Sequence, residues 1–131
     1  MTRVEDDNDN LVIEADKHRI IQVISNLLNN SFKFTHEGII LVTTRKDNTN
    51  SGNQLIVSVK DTGTGIDPEI LPRLFTKFAT KSNRGEGTGL GLYGLYISKN
   101  IIEAHGGRLW AENNKDSKGA TFSFSLPVTS S

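Results

Sequence analysis

The chain has no cysteine, no surplus charge of either sign and no long apolar run, and each absence removes a class of function. Without cysteine in its 131 residues there is neither a disulfide framework nor a thiolate metal site, which fits a cytoplasmic, reducing setting. The 15 Lys and Arg balance the 15 Asp and Glu, so no basic field invites nucleic acid. No apolar stretch approaches the roughly 20 residues that cross a bilayer, and no signal peptide is visible. Direct membrane insertion of this unit is therefore not expected. Histidine is scattered: His18, His36 and His105 show no metal-ligand spacing and read as surface or helix-end residues. The length suits a single domain, 1–131, able to bury its own core. The acidic run VEDDNDN reads as a flexible boundary within residues 1–10.

What the chain does have is glycine at close intervals. Arg84 to Leu92, RGEGTGLGL, places Gly85, Gly87, Gly89 and Gly91 directly before a helical pattern. Bare backbone amides can converge there, and the helix start adds unpaired N–H groups and a positive dipole end. That is a phosphate-binding arrangement. Gly89, Gly91 and Gly94 formally satisfy G-x-G-x-x-G, but the polar segment ATKSNRGEGT precedes them where a dinucleotide fold needs a strand. No G-x-x-x-x-G-K-[ST] run exists.

Along the chain, Leu11 to Ala15 reads as a short strand and Asp16 as an N-cap. From Lys17 to about Phe34 the pattern is helical, with Ile20, Val23, Ile24, Leu27 and Leu28 on one stripe. Asn26, Asn30 and Lys33 fall within about 60° of one another beside it. This strip is either a solvated face or a binding face on which Asn30 offers a carbonyl oxygen to a hard cation and Lys33 reaches phosphate. Gly38 to Arg45 and Leu55 to Lys60 read as an antiparallel hairpin about the turn DNTNSGN, and the second strand ends at Asp61-Thr-Gly, taken alone a simple turn. Asp67-Pro68-Glu69 predicts the start of a short helix carrying Leu71, Leu74, Phe75 and Phe78. Ala79 to Thr88 then reads as a lid loop, and Leu90 to His105 as a helix closed by Gly106-Gly107. Arg108 to Glu112 and Ala120 to Leu126 read as the last strands, joined by NNKDSKG.

Taken together, these segments resemble the ATP-binding catalytic domain of sensor histidine kinases, in the superfamily of gyrase, Hsp90, histidine kinase and MutL ATPases (the GHKL group, or Bergerat fold). The likeness covers roughly Leu11 to Pro127. NLLNNSFKF is similar to the family's N box, DTGTGI to its first glycine box, LFTKF to its F box, GEGTGLGL to its second glycine box and KGATFSFSLP to its final strand. Five motifs in order make the resemblance specific. It implies an α+β fold: a two-layer α/β sandwich whose mixed, mostly antiparallel sheet carries helices on one face, with a mobile ATP lid.

The resemblance also implies roles. Asn30 would coordinate Mg²⁺ on the triphosphate, supported by Asn26 one turn earlier. Lys33 would contact phosphate and Phe34 would lie near the base. Asp61 would accept from the exocyclic amine of adenine, excluding guanine, which presents a carbonyl there. Gly63 and Gly65 would let the backbone approach the ring, Ile66 would pack on it, and Thr121 would reach it through water. Gly87, Thr88, Gly89, Leu90 and Gly91 would hold the phosphates, and Arg84 in the lid would stabilise charge at the γ-phosphate.

ATP hydrolases of the superfamily are similar in placing a glutamate base where this chain has Asn26, which takes no proton at neutral pH. Phosphoryl transfer is therefore expected over hydrolysis, with the acceptor a histidine on a separate dimerisation domain of the same parent protein, and a response regulator downstream. That parent could be membrane-anchored. None of the three histidines has the family's phosphoacceptor setting, so the isolated chain is expected to bind ATP without phosphorylating itself. Two rivals are a serine kinase of the anti-sigma-factor type and a regulatory nucleotide-binding module without transfer. In one departure, GTGLGLYGLYISK carries about three extra residues around Tyr93-Gly94-Leu95, which would turn the following helix face by about 60°.

Overall fold

Asp16 sets the start of the first helix. Its Oδ1 accepts from the amides of His18 (3.1 Å) and Arg19 (3.3 Å), and α1 runs Lys17–Phe34 from that cap. The structure, a computed structural model, describes residues 2–5, 10–35, 37–49, 52–76, 88–115 and 117–128. The strands are β1 (Thr2–Glu5), β2 (Asn10–Ile13), β3 (Ile40–Thr49), β4 (Gly52–Asp61), β5 (Arg108–Asn113) and β6 (Ala120–Pro127). The second helix, α2, spans Thr88–Ala104.

The main sheet has the order β3-β4-β6-β5, and β1 and β2 form a separate two-stranded sheet. Every described pairing is antiparallel, so the mixed component expected from the sequence does not occur among the described strands. The cause is the placing of the two hairpins. β4 and β5 run the same way, but β6 lies between them and pairs antiparallel with both.

Alternation along β4 and β6 separates the two faces of this sheet. Leu55, Val57 and Val59 from β4, with Ala120, Phe122, Phe124 and Leu126 from β6, are buried. They pack in one core with Val23 and Leu27 of α1 and Leu95 and Ile102 of α2. Both helices therefore cover a single face. The other face carries polar side chains, among them Ser58 and Ser123, whose hydroxyls meet at 2.8 Å.

Some boundaries differ from the sequence reading. Residues 1–10 were expected to be a flexible boundary, yet β1 pairs with β2 from Thr2↔Ile13 to Glu5↔Asn10. Thr2 and Val4 alternating with Arg3 and Glu5 is strand patterning that the adjacent acidic run masks. The helix expected from Asp67 is also cut short. Asp67 does cap, taking the Glu69 amide on Oδ1 at 2.8 Å, but only turns and a 3₁₀ segment, Leu71–Arg73, follow. Pro72 has no N–H for the next α-helical bond and breaks the run. The expected lid lies outside the described residues except at Thr88, where α2 begins. Of the expected turn DNTNSGN, residues 47–49 belong to β3 and 52–53 to β4, while 50–51 lie outside the described residues.

Candidate functional site

α1 and α2 run antiparallel, and polar contacts join them at one end and midway along their overlap. The backbone N–H of Asp16, before α1, donates to His105 Nε2 just after α2 at 3.1 Å. Further along, Asn26 Nδ2 donates to the Gly94 carbonyl at 3.1 Å and to Ser98 Oγ at 3.0 Å. Gly94 faces Asn26 across the two helices, and a Cβ added there would meet Asn26 Cγ at an ordinary contact distance of 3.4 Å. Continuing this ladder by one turn carries Asn30 alongside the first turn of α2, Thr88 to Gly91.

Asn30 belongs to no solvated face. It is 4% exposed, and its Oδ1 is buried without a hydrogen-bond partner among the described residues. Ser31 Oγ and Thr35 Oγ1 are likewise buried without a partner among the described residues. Buried polar atoms are nearly always paired, so an orphan carbonyl oxygen calls for an explanation, a bound water or ion among them. A hard cation of the Mg²⁺ kind fits that donor, because it takes neutral amide oxygens and completes its shell with phosphate and water. Lys33, a turn further on, is exposed.

The end of α1 touches the end of β4 directly. Thr64 N donates to the Phe34 carbonyl at 3.2 Å, and Gly63 packs so closely on that carbonyl that a Cβ would collide with it. Phe34 is thereby beside Gly63. Asp61 is 2% exposed. Its Oδ1 accepts from Gly63 N at 2.9 Å and Ala120 N at 3.2 Å, and both described bonds to this carboxylate fall on that one oxygen. Gly65 has φ +81°, a conformation that side chains rarely adopt, and Ile66 after it packs against the core.

Thr121 does not fit its expected role. Its flanking residues Ala120 and Phe122 point into the core, and it pairs with Lys60 and Glu112 across the sheet, so it stands on the face away from the helices. Its hydroxyl donates to Asn114 Oδ1 at 2.7 Å. Strand register, which motif matching ignores, decides this. Arg84 and Gly87 lie outside the described residues; Thr88, Gly89, Leu90 and Gly91 form the first turn of α2. The extra residues Tyr93 to Leu95 are absorbed within continuous α2, where Leu95, Ser98 and Ile102 are fully buried at helical spacing.

Sequence reasoning missed two residues of this region. Asn113 Oδ1 accepts from Ile66 N at 2.7 Å while its Nδ2 donates to the Ile66 carbonyl at 3.0 Å. Asn114 Nδ2 donates to the Asp61 carbonyl at 2.9 Å. Consecutive asparagines after a strand signal a turn, and nothing in their spacing reveals a reach across the sheet.

The chain resembles known proteins over nearly its whole length. The model of a family described as histidine kinase-, DNA gyrase B-, and HSP90-like ATPase matches residues 15–130. The sensor protein FixL of Bradyrhizobium diazoefficiens is 43% identical over 121 residues, covering 89% of this chain and 22% of that protein. The sensor protein TorS of Escherichia coli is 42% identical over 114 residues, covering 87% of this chain and 12% of that protein. The chain thus spans less than a quarter of these curated relatives. The solved catalytic domain of the histidine kinase ThkA, in a nucleotide-free form, superposes with a TM-score of 0.73 at 37% identity, over 92% of this chain and 74% of that one. Full-length ShkA in complex with AMPPNP gives 0.72 at 31% identity, over 92% of this chain and 24% of that one. With its helix-covered antiparallel sheet and its ordered motifs, the chain belongs to the histidine kinase-, DNA gyrase B- and HSP90-like ATPase family, and its fold is that of a sensor-kinase catalytic domain.

Proposed function

We propose that this domain binds Mg-ATP and presents the γ-phosphate to a histidine on a separate dimerisation domain. The observation that carries the reading is Asn30, whose buried oxygen has no partner among the described residues and stands one helical turn from Asn26. Asn30 would hold Mg²⁺, which when bound supplies charge neutralisation to the triphosphate. Lys33 adds a cationic contact, and the first turn of α2 adds free amides and a positive dipole end toward phosphate. Asp61 keeps one carboxylate oxygen for the adenine amine, and Phe34, Gly63 and Gly65 leave the backbone close to the ring.

Asn26 supports transfer over hydrolysis. An amide takes no proton from water, and the Asn26 Nδ2 hydrogens are already directed to Gly94 and Ser98. The nucleophile therefore comes from outside this domain. The test is to incubate the chain with Mg-ATP alone and with a separately supplied dimerisation and phosphoacceptor domain. Acid-labile phosphohistidine that forms only on the added domain supports the reading. Phosphoserine on a partner protein, or phosphohistidine on this chain alone, contradicts it.

A further inference from the structure

Asn114 closes the β5–β6 turn, yet its contacts exceed what that turn needs. The turn is made by its backbone, with Asn114 N donating to the Gly119 carbonyl at 2.9 Å. The side chain does something else. Nδ2 donates to the Lys118 carbonyl and, at the same 2.9 Å, to the main-chain carbonyl of Asp61, 53 positions away on β4. Oδ1 accepts the Thr121 hydroxyl at 2.7 Å, which fixes the orientation of the amide so that its nitrogen faces Asp61. Both polar ends of this half-buried side chain are engaged.

The segment that Asn114 holds bears on the Asp61 carboxylate. Gly119, at φ +97°, lies so tightly against Asp61 that a Cβ would collide with its carbonyl. The next residue, Ala120, supplies one of the two N–H groups on Asp61 Oδ1. Among the described residues both donors fall on Oδ1 and none on Oδ2, which leaves Oδ2 for a ligand.

We propose that Asn114, oriented by Thr121, is a positioning residue for base selection: it presses the 118–120 segment onto Asp61 and so aims one carboxylate oxygen at the exocyclic amine of adenine. This rests on the reading that Asp61 meets the base. The role differs from that of a hairpin residue, because it acts on the choice between an amino- and an oxo-purine.

The experiment is a set of calorimetric titrations with non-hydrolysable Mg-ATP and Mg-GTP analogues, on the native chain, Asn114→Ala, Thr121→Val, Asp61→Asn and the Asp61→Asn/Asn114→Ala double variant. Asn114→Ala should weaken the adenine analogue by about tenfold and leave the guanine analogue unchanged, narrowing selectivity. Thr121→Val should narrow it in the same direction by less; it removes only a hydroxyl, and carries the test if Asn114→Ala fails to fold. In the Asp61→Asn background, Asn114→Ala should have no further effect on selectivity. Equal losses for both nucleotides, or a loss that adds in full to that of Asp61→Asn, would overturn the proposal while leaving Asp61 in the site. Unchanged selectivity in Asp61→Asn would overturn the base-recognition reading, and this proposal with it.

Discussion

Asn113 grips the backbone of Ile66 from both sides, accepting its N–H at 2.7 Å and donating to its carbonyl at 3.0 Å. The end of β5 is thereby bonded to the loop that follows Asp61, and the left-handed Gly65 is held in place between them. An added Cβ on Gly65 would stand 3.0 Å from Asn113 Oδ1.

Asn113→Ala should destabilise the folded chain by about 1–3 kcal/mol, since it leaves two part-buried backbone groups of Ile66 unpaired. Asn113→Asp should not restore the loss, because a carboxylate cannot donate to the Ile66 carbonyl. Thermal unfolding checks both, and a nucleotide titration should show weakened binding in each.

Asn26 makes a second prediction. Asn26→Ala removes the donors to Gly94 and Ser98 and should cost about 1–2 kcal/mol. Asn26→Glu places a possible base at the position but sets a carboxylate against the Gly94 carbonyl. It should therefore be less stable than Asn26→Ala, with no gain in ATP hydrolysis. Denaturant unfolding and a phosphate-release assay read the two effects separately.

At the far end of the helix pair, His105 Nδ1 lies 2.8 Å from the Ile101 carbonyl and Nε2 accepts the Asp16 N–H. With Nε2 accepting, the Nδ1 hydrogen is the one directed at the Ile101 carbonyl. His105→Ala should lower stability by about 1 kcal/mol, and His105→Gln, with an acceptor near the Nε2 position, should recover part of it. Retention of full stability in His105→Ala would show that the contact contributes nothing.

The fold was legible where a local rule met no tertiary conflict. Asp16, the Val23 and Leu27 stripe and the terminal Gly106 all lie where capping and periodicity put them, with α1 matching its expected span and Gly106 at φ +82°. Pro72 overruled a good helix start. Asn30 was legible as a polar residue beside an apolar stripe, but its burial was not, because periodicity gives an angle and not a neighbour. Thr121 was misread because alternation along β6, not membership of a motif, decides which side of the sheet a residue faces. Asn113 and Asn114 were invisible, since they act through residues about 50 positions away that only strand pairing brings near.

On the proposed function, the Asn30 oxygen, unpaired among the described residues, receives the metal of Mg-ATP. This is tested most directly by titrating a non-hydrolysable ATP analogue, with and without Mg²⁺, into the native chain and Asn30→Ala. Asn30→Ala should keep the metal-free affinity and lose the increment that Mg²⁺ adds to the native chain. An equal Mg²⁺ increment in both proteins, or none in the native chain, would contradict the account.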